Sequence, residues 1–192
     1  MNNALKHRGP DALNEMVDET VALGHARLSI IDLSASANQP MVDASGRYTI
    51  VFNGEIYNFQ ELKSELATQA LNTQSDTEVL LYLYMKNGEA CLAKLRGMFA
   101  LAIWDNQKKE LFLARDRFGK KPLYYYISNN TFLFSSEIRS LLASGLIPKK
   151  LNHNSLREFI RYQTVHTPNT IIENVFMLQP GHFARFNKGS FV

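Results

Sequence analysis

Two stretches of the sequence decide the fold, MFALAIWDNQKKELFLAR (98–115) and LYYYISNNTFLFS (123–135). Each contains two short runs rich in apolar residues, separated by polar residues that are typical of turns. The turn residues are 106–108 in the first stretch and 129–130 in the second. Because such turns join strands that are neighbours along the chain, the pattern predicts a meander of antiparallel hairpins. The four predicted strands are 98–105, 110–115, 123–128 and 131–135.

Further strands and helices flank these hairpins. A capping box of Ser75 and Glu78 predicts the start of a helix that runs through residue 85. Four other helices are predicted at 58–68, 89–95, 136–144 and 154–162. The other extended segments are two short pieces within 21–32, a strand at 47–52, and a last hairpin of 175–178 with 182–186 that ends in the turn 187–189. Strands in runs and helices in separate pairs favour an α+β fold with antiparallel sheets.

Composition restricts the class of protein. With 192 residues, 45% of them hydrophobic, the chain can bury one sizeable core, which predicts a single domain over 1–192. The 21 Lys and Arg residues and 18 Asp and Glu residues are scattered, so we expect no nucleic-acid partner. The longest apolar run, 98–104, is too short to cross a bilayer, and residues 1–6 lack the apolar core of a signal peptide. Cys91 is the single cysteine, which excludes an intrachain disulfide and fits a reducing compartment. We therefore expect a cytoplasmic protein with no membrane partner.

Three positions carry side chains that could contact a ligand. Asn53 and Gly54 follow the strand at 47–52, where an amide and a backbone N–H could bind an oxyanion, although Asn-Gly is also a common hairpin turn. Arg27 lies among apolar residues, so it forms either a structural ion pair or a fork on a ligand carboxylate. Asp76 begins a helix, where it either caps the helix or binds a ligand ammonium group.

Other polar residues are better explained as structural. His7, His25 and His182 lack the spacing of metal ligands, and we expect them to form structural hydrogen bonds. Arg115, Asp116 and the residues up to Pro122 predict a tight, ion-paired connection between two strands.

Nine blocks of sequence, in this order, resemble the glutaminase domain of glutamine-dependent asparagine synthetases. The blocks are HRGPD (7–11), HARLSIIDLS (25–34), NQPM (38–41), FNGEIYNF (52–59), SDTEVLL (75–81), LRGMFALAIWD (95–105), RDRFGKKPLYYY (115–126), SSEIRSLL (135–142) and LQPGH (178–182). Among class II amidotransferases, the blocks at 29–34 and 115–125 resemble the asparagine synthetase branch rather than the sugar-phosphate aminotransferring relatives. The resemblance covers nearly the whole chain, from residue 7 to about residue 186.

The resemblance implies a fold and a set of roles. The fold is the four-layer αββα sandwich of N-terminal-nucleophile hydrolases, in which two antiparallel sheets face each other. Arg27 would hold the α-carboxylate of glutamine, while Glu55 and Asp76 would hold its α-ammonium group. Asn53 and the N–H of Gly54 would bind the oxyanion.

The resemblance also implies a nucleophile. In the family, a cysteine exposed as the first residue attacks the glutamine amide, with its own α-amine as the base. That cysteine begins a core strand, which a helix follows before the HRGPD block. Here Met1 lies six residues before His7, so we expect that the first strand, its helix and the nucleophile are missing and that this chain is inactive. Cys91 lies within a predicted helix and has no free α-amine, so we do not expect it to replace the nucleophile.

Two hypotheses of function remain. In the first, the chain is the glutaminase portion of an asparagine synthetase-like ligase, which supplies ammonia from glutamine for the ATP-dependent amidation of aspartate or a similar acid. We then expect glutamine and the synthetase domain as partners, no cofactor in this chain, and ATP and Mg²⁺ only in the synthetase domain. In the second, the chain is a non-catalytic module that binds glutamine or a partner chain. In either case a missing strand would leave a sheet edge exposed, through which copies could self-associate.

Overall fold

The computed structural model describes residues 1–66, 69–128, 131–187 and 189–192, which form three antiparallel sheets. The strands are β1 (Ala12–Val17), β2 (Ala22–Arg27), β3 (Met41–Val42), β4 (Tyr48–Ile56), β5 (Gly97–Asp105), β6 (Glu110–Arg115), β7 (Tyr124–Ser128), β8 (Thr131–Ser135), β9 (Val175–Met177), β10 (Phe183–Asn187) and β11 (Ser190–Phe191). The largest sheet has the order β11-β10-β6-β5-β4-β3, a second has the order β8-β7-β9, and β1 pairs with β2.

Four α-helices and three short 3-10 helices connect the strands. The α-helices are α1 (Phe59–Ser64), α2 (Asp76–Asn87), α3 (Ile138–Leu142) and α4 (His153–Tyr162). The 3-10 helices are Asn2–Leu5, Ala35–Ala37 and Gly88–Lys94. Within the described residues, no helix is long and apolar enough to span a bilayer.

Alternation along β4 and β5 builds four layers. Successive side chains of a strand point to opposite faces, so Ile50 and Phe52 pack with α1 and α2 on one face of the large sheet. Val51 lies on the other face, which packs against aromatic residues of β7 and β8. Behind this second sheet, Tyr126 packs with α3. The order helix, sheet, sheet, helix confirms the predicted αββα arrangement.

Pairing differs from the predicted hairpins at two places. The predicted hairpin of 175–178 with 182–186 is wrong, because β9 pairs with β7 whereas β10 pairs with β6 and β11. The predicted meander is also interrupted, since β5 and β6 form one hairpin in the large sheet while β7 and β8 form another in the second sheet. Long-range packing of the two sheets therefore separates strands that lie close in sequence.

The start of α2 was predicted better than the strand pairing, because it depends on residues that are close in sequence. The Ser75 side chain accepts a hydrogen bond from the N–H of Glu78, which confirms the predicted cap of α2. The other half of the capping box is absent, because the Glu78 carboxylate accepts from the N–H groups of Asn72 and Thr73 instead of that of Ser75. The predicted turn at 129–130, the end of the predicted helix at 58–68 and residue 188 of the last turn lie outside the described residues.

Candidate functional site

A cavity of about 1080 Å³ lies between the large sheet and the two smaller ones. Its wall includes all five residues that the sequence singled out, Arg27, Asn53, Gly54, Glu55 and Asp76. Apolar side chains of both sheets form the rest of the wall, among them Trp104, Leu111, Phe132, Phe134 and Phe186. This volume slightly exceeds the usual range for small-molecule pockets, about 300–1,000 Å³. It is therefore larger than a single amino acid needs.

Asn53 and Gly54 lie inside a strand. The alternative of a turn is wrong, because β4 continues through Ile56, with Asn53 opposite Ala100 and Gly54 opposite Phe99. A Cβ on Gly54 would lie 2.2 Å from the backbone oxygen of Met98, so only glycine fits where β4 and β5 approach each other. The glycine thus serves close packing of two backbones.

In the part of the chain that the structure describes, the outer edge of β4, which faces away from β5, carries one free backbone donor. Phe99 uses both its N–H and its carbonyl on Asp116, so its partner Gly54 points its own N–H to the outer edge. At the same edge, the N–H of Phe52 donates to Gln39 Oε1 at 2.6 Å and the N–H of Ile56 to Asp76 Oδ2 at 3.0 Å. Among the described residues, the N–H of Gly54 has no partner at this edge. It is available to a ligand oxygen.

The Asn53 amide lies beside this donor. Asn53 is half-buried, and its Nδ2 donates to Ser136 Oγ at 3.3 Å, which links β4 to the segment after β8. An amide nitrogen carries two N–H groups, so the second remains for a ligand. Together with Gly54, it offers two donors on the cavity wall, the arrangement that an oxyanion requires.

Arg27 is 8% exposed and organises the loop that follows β2. Its guanidinium donates to the carbonyl of Ser34 at 2.7 Å, to Asn38 Oδ1 at 2.7 Å and to the carbonyl of Asp32. These bonds use three of the five N–H groups of an arginine, and the other two have no partner among the described residues. The predicted structural ion pair is not what holds Arg27, since backbone and amide oxygens do so. The guanidinium group thus lies at the wall of the cavity.

Asp76 and Glu55 bring negative charge to the same cavity. Asp76 is the first residue of α2 and is 6% exposed. Burial raises the pKa of its carboxyl, and the charge of the neighbouring Glu55 raises it further. Because the charge of Glu55 acts on Asp76, a cation bound near both groups would be favoured. The five residues together thus bring one cation, two donors and two acids to the wall of the cavity.

Two unexpected features line the cavity. All residues of β2 and β8 lie on its wall, and in the described part of the chain each of these strands is paired along one edge only. Three buried polar atoms on the wall also lack a partner among the described residues. They are Asn2 Oδ1, His25 Nδ1 and Trp104 Nε1. Buried polar groups are normally satisfied, so the wall has unused capacity for hydrogen bonds.

Cys91 is buried in an apolar cluster and does not line the cavity. It is 1% exposed in the 3-10 helix Gly88–Lys94 and packs in the apolar cluster beneath α2. Burial raises the pKa of its thiol to about 12, which opposes formation of a thiolate. The side chain therefore serves as a small apolar residue, as the sequence predicts.

The connection after β6 is stabilised by hydrogen bonds between side chains and the backbone rather than by the predicted ion pair. Arg115 donates to the carbonyls of Lys121, Leu178 and Gly119, and Asp116 accepts from the N–H groups of Phe118, Lys120 and Lys121. The predicted ion pair is wrong, because neither side chain takes part in an ion pair within the described ranges. Backbone groups of the loop, together with the carbonyl of Leu178, form the hydrogen bonds of both charged side chains.

Sequence reasoning found His25 but missed Gln39. The Nε2–H of His25 donates to the carbonyl of Phe52 at 3.1 Å, which confirms the predicted structural hydrogen bond. Gln39 belongs to the NQPM block, yet nothing local indicates that it is 6% exposed and bonded to β4. The neighbouring proline was the only available signal, since it marks a turn that could bring the chain back to the sheet.

Comparison with known proteins gives a consistent family. The sequence profile of the glutamine amidotransferase domain matches residues 1–192. Asparagine synthetase [glutamine-hydrolyzing] 1 of Bacillus subtilis (strain 168) is 42% identical over 183 residues, which cover 94% of this chain and 29% of that protein. A putative asparagine synthetase [glutamine-hydrolyzing] 2 of Methanocaldococcus jannaschii is 39% identical over 199 residues, 93% of this chain and 38% of that protein. The chain thus spans less than two fifths of the length of either relative.

Solved structures support the fold. The glutamine phosphoribosylpyrophosphate amidotransferase from Bacillus subtilis aligns with a TM-score of 0.62 at 21% identity, over 89% of this chain and 34% of that one. At this identity the likeness supports the arrangement of layers and carries nothing about the ligand.

Proposed function

Since the chain belongs to the glutamine amidotransferase domain family, we propose that it binds glutamine in the cavity and forms the glutaminase portion of an asparagine synthetase-like protein. One observation carries the proposal: five residues from three elements meet on one cavity wall with the charges that an α-amino acid needs. In the complete protein, ammonia from glutamine would then amidate an acid such as aspartate. ATP and Mg²⁺ would act in the synthetase portion.

The charged side chains determine how glutamine would be oriented in the cavity. The α-carboxylate would bind the free N–H groups of Arg27, a charge-assisted contact that is stronger than a neutral one. The α-ammonium group would lie between Glu55 and Asp76, where it would relieve their mutual repulsion. The side-chain carbonyl would then reach the N–H of Gly54 and the amide of Asn53.

Hydrolysis needs a nucleophile at the same cavity. We propose that an extended segment carrying an N-terminal cysteine lies between β2 and β8 and pairs with the unpaired edges of both strands. Its backbone and side chains would supply partners for the orphan atoms of Asn2, His25 and Trp104. The apolar side chains of the wall would be covered at the same time, which favours the segment through burial.

Without that segment, the proposal for residues 1–192 is binding without turnover. The specific observation behind this second candidate is Cys91, the single cysteine, which is buried away from the cavity. The exposed strand edges would also favour self-association. We further place the protein in the cytoplasm, for which the reduced, unpaired Cys91 is the support.

Two measurements on purified chain 1–192 test these proposals. Calorimetry with L-glutamine and L-glutamate should detect weak binding, and Arg27→Ala should abolish it. Lys108→Ala, at an exposed turn residue that does not line the cavity, is the control that should leave binding unchanged. Release of ammonia from L-glutamine should not exceed that of a boiled sample. Unchanged affinity in Arg27→Ala would remove Arg27 from the site, and turnover that Cys91→Ala abolishes would make Cys91 the nucleophile.

A further inference from the structure

Two side chains replace a strand partner at the edge of β4. Strand β3 pairs only with Thr49 and Ile50, so the edge of β4 beyond it has no neighbouring strand in the described structure. At Phe52, Gln39 Oε1 accepts from the backbone N–H at 2.6 Å, and the Nε2–H of His25 donates to the carbonyl at 3.1 Å. Both backbone groups of one residue are therefore held by side chains.

The same glutamine reaches helix α2. Its Nε2 donates to Thr77 Oγ1 at 3.1 Å, and both side chains are buried, with Thr77 3% exposed. Glutamine suits this position because it offers an acceptor and a donor at once. The bond links the second residue of α2 to Phe52 through a single side chain.

A second link between α2 and β4 lies four residues further along the strand. Asp76 Oδ2 accepts from the N–H of Ile56 at 3.0 Å. The two links therefore flank Asn53, Gly54 and Glu55, three residues of the proposed site. All four ends of these links are buried, so water does not compete for their hydrogen bonds.

We propose that Gln39 and Thr77 are positioning residues that fix the N–H of Gly54 and the amide of Asn53 for the side-chain carbonyl of glutamine. The inference rests on the proposed function, since it assigns those two donors to the substrate. Donors aimed in advance at a developing charge act without reorganisation, and small displacements reduce their effect strongly. Gln39 and Thr77 themselves act through β4 without contact to the substrate.

A pair of variants at position 77 separates this role from general stability. Thr77→Val removes the hydroxyl at nearly the same volume, whereas Thr77→Ser retains it. Amide hydrogen exchange of the free protein should accelerate at least fivefold at Phe52, whose N–H donates to Gln39, in Thr77→Val and remain within twofold of wild type in Thr77→Ser. Exchange at Ala102 and Leu113, in the middle of β5 and β6, is the internal reference. Unchanged exchange at Phe52 in Thr77→Val would overturn the inference, whether or not the chain binds a ligand.

Binding of two amino acids connects the link to the substrate. L-Norvaline has the α-carboxylate and α-ammonium groups of L-glutamine and lacks the side-chain amide. In Thr77→Val, the preference for L-glutamine over L-norvaline should fall at least fivefold, with the affinity for L-norvaline within twofold of wild type and the preference restored in Thr77→Ser. An equal loss for both ligands, or no loss for either, would contradict the positioning role. Wild type that binds neither amino acid would contradict the proposed function instead, and the exchange measurement would still decide the link.

Discussion

Asp76 Oδ2 and the N–H of Ile56 are joined by a hydrogen bond of 3.0 Å, which fastens the first residue of α2 to the last residue of β4. One carboxylate thus serves the fold through one oxygen and the cavity through its charge. The two functions can be separated by substitution, because an amide oxygen accepts the same hydrogen bond without the charge.

Asp76→Asn should keep the fold and lose the ligand. The asparagine oxygen can still accept from Ile56, and a buried charge is removed, so the free energy of unfolding should be equal or higher. Affinity for L-glutamate should fall at least tenfold, since one of the two acids facing the ammonium group is gone. Asp76→Ala, in contrast, leaves the N–H of Ile56 without a partner and should cost about 1–3 kcal/mol. Urea denaturation and calorimetry measure both effects, and unchanged glutamate affinity in Asp76→Asn would contradict the assignment.

Ligand affinity should depend on pH through the same carboxyl. Burial raises its pKa, so Asp76 takes up a proton at a higher pH than an ordinary aspartate. The neutral acid attracts an ammonium group less, and affinity for L-glutamine should therefore decrease as the pH falls through that raised pKa. Calorimetric titrations over a pH series should show this decrease in wild type and a weaker one in Asp76→Asn. Parallel profiles for the two proteins would assign the dependence to another group.

Acid should destabilise the fold through His25. Burial lowers the pKa of its imidazole from 6.5 to about 4, so the unfolded chain binds an additional proton between these values. Protonation of His25 therefore does not affect the free energy of unfolding above pH 6.5. As the pH falls from 6.5 to about 4, the unfolded state is favoured increasingly and stability is lost. A shift of this size corresponds to about 3 kcal/mol. Denaturation curves should show this loss in wild type and in His153→Gln, at an exposed position of α4, but a smaller one in His25→Gln. A loss of the same size in all three would exclude His25.

Gly54→Ala should be much more damaging than Gly46→Ala. A Cβ at position 54 would lie 2.2 Å from the Met98 carbonyl oxygen, and two paired strands cannot separate locally without losing hydrogen bonds. We expect a cost of about 3 kcal/mol, the upper end for overpacking. Gly46 has a φ of 72° and open space around it, so alanine there costs only backbone strain, about 1 kcal/mol. Equal melting temperatures of the two variants would show that β4 can move away from β5.

In the described residues β2 and β8 are each paired along one edge only, which should make residues 1–192 prone to association. Sedimentation should show dimers or larger species at micromolar concentration, and a peptide that pairs with both strands should restore the monomer and raise the melting temperature. A scrambled peptide of the same composition is the control. A monomer with a cooperative transition above about 60 °C, beyond most mesophilic domains, would show that the edges need no partner.

Local patterns predict most of the elements, although they miss β1 and predict a second extended piece where residues 28–32 form no strand. Pairings and contacts between residues that are distant along the chain could not be predicted. Alternation along β4 and β5 shows both faces of the large sheet, because side chains of one strand alternate whatever their partners are. The separation of β9 from β10 depends on which sheet each strand reaches, and no local pattern carries that information. For the same reason, the sequence does not show that Gly54 lies inside a strand. Glycine is needed there because the backbone of Met98, on β5, leaves no room for a Cβ. Gln39 was missed because its partners are 13 and 38 residues away.

The side chains along the outer edge of β4 also hinder edge-to-edge pairing with a second copy of the protein. A strand from another molecule could extend the large sheet there only by taking over the backbone groups of Phe52 and Ile56, which Gln39, His25 and Asp76 already occupy. Fibril growth from this edge is thereby blocked without a proline or a bulge. Among the described residues along this edge, the amide of Gly54 remains open to a small molecule. The outer edge of β4 can therefore bind a small ligand at Gly54, although it cannot pair with another strand.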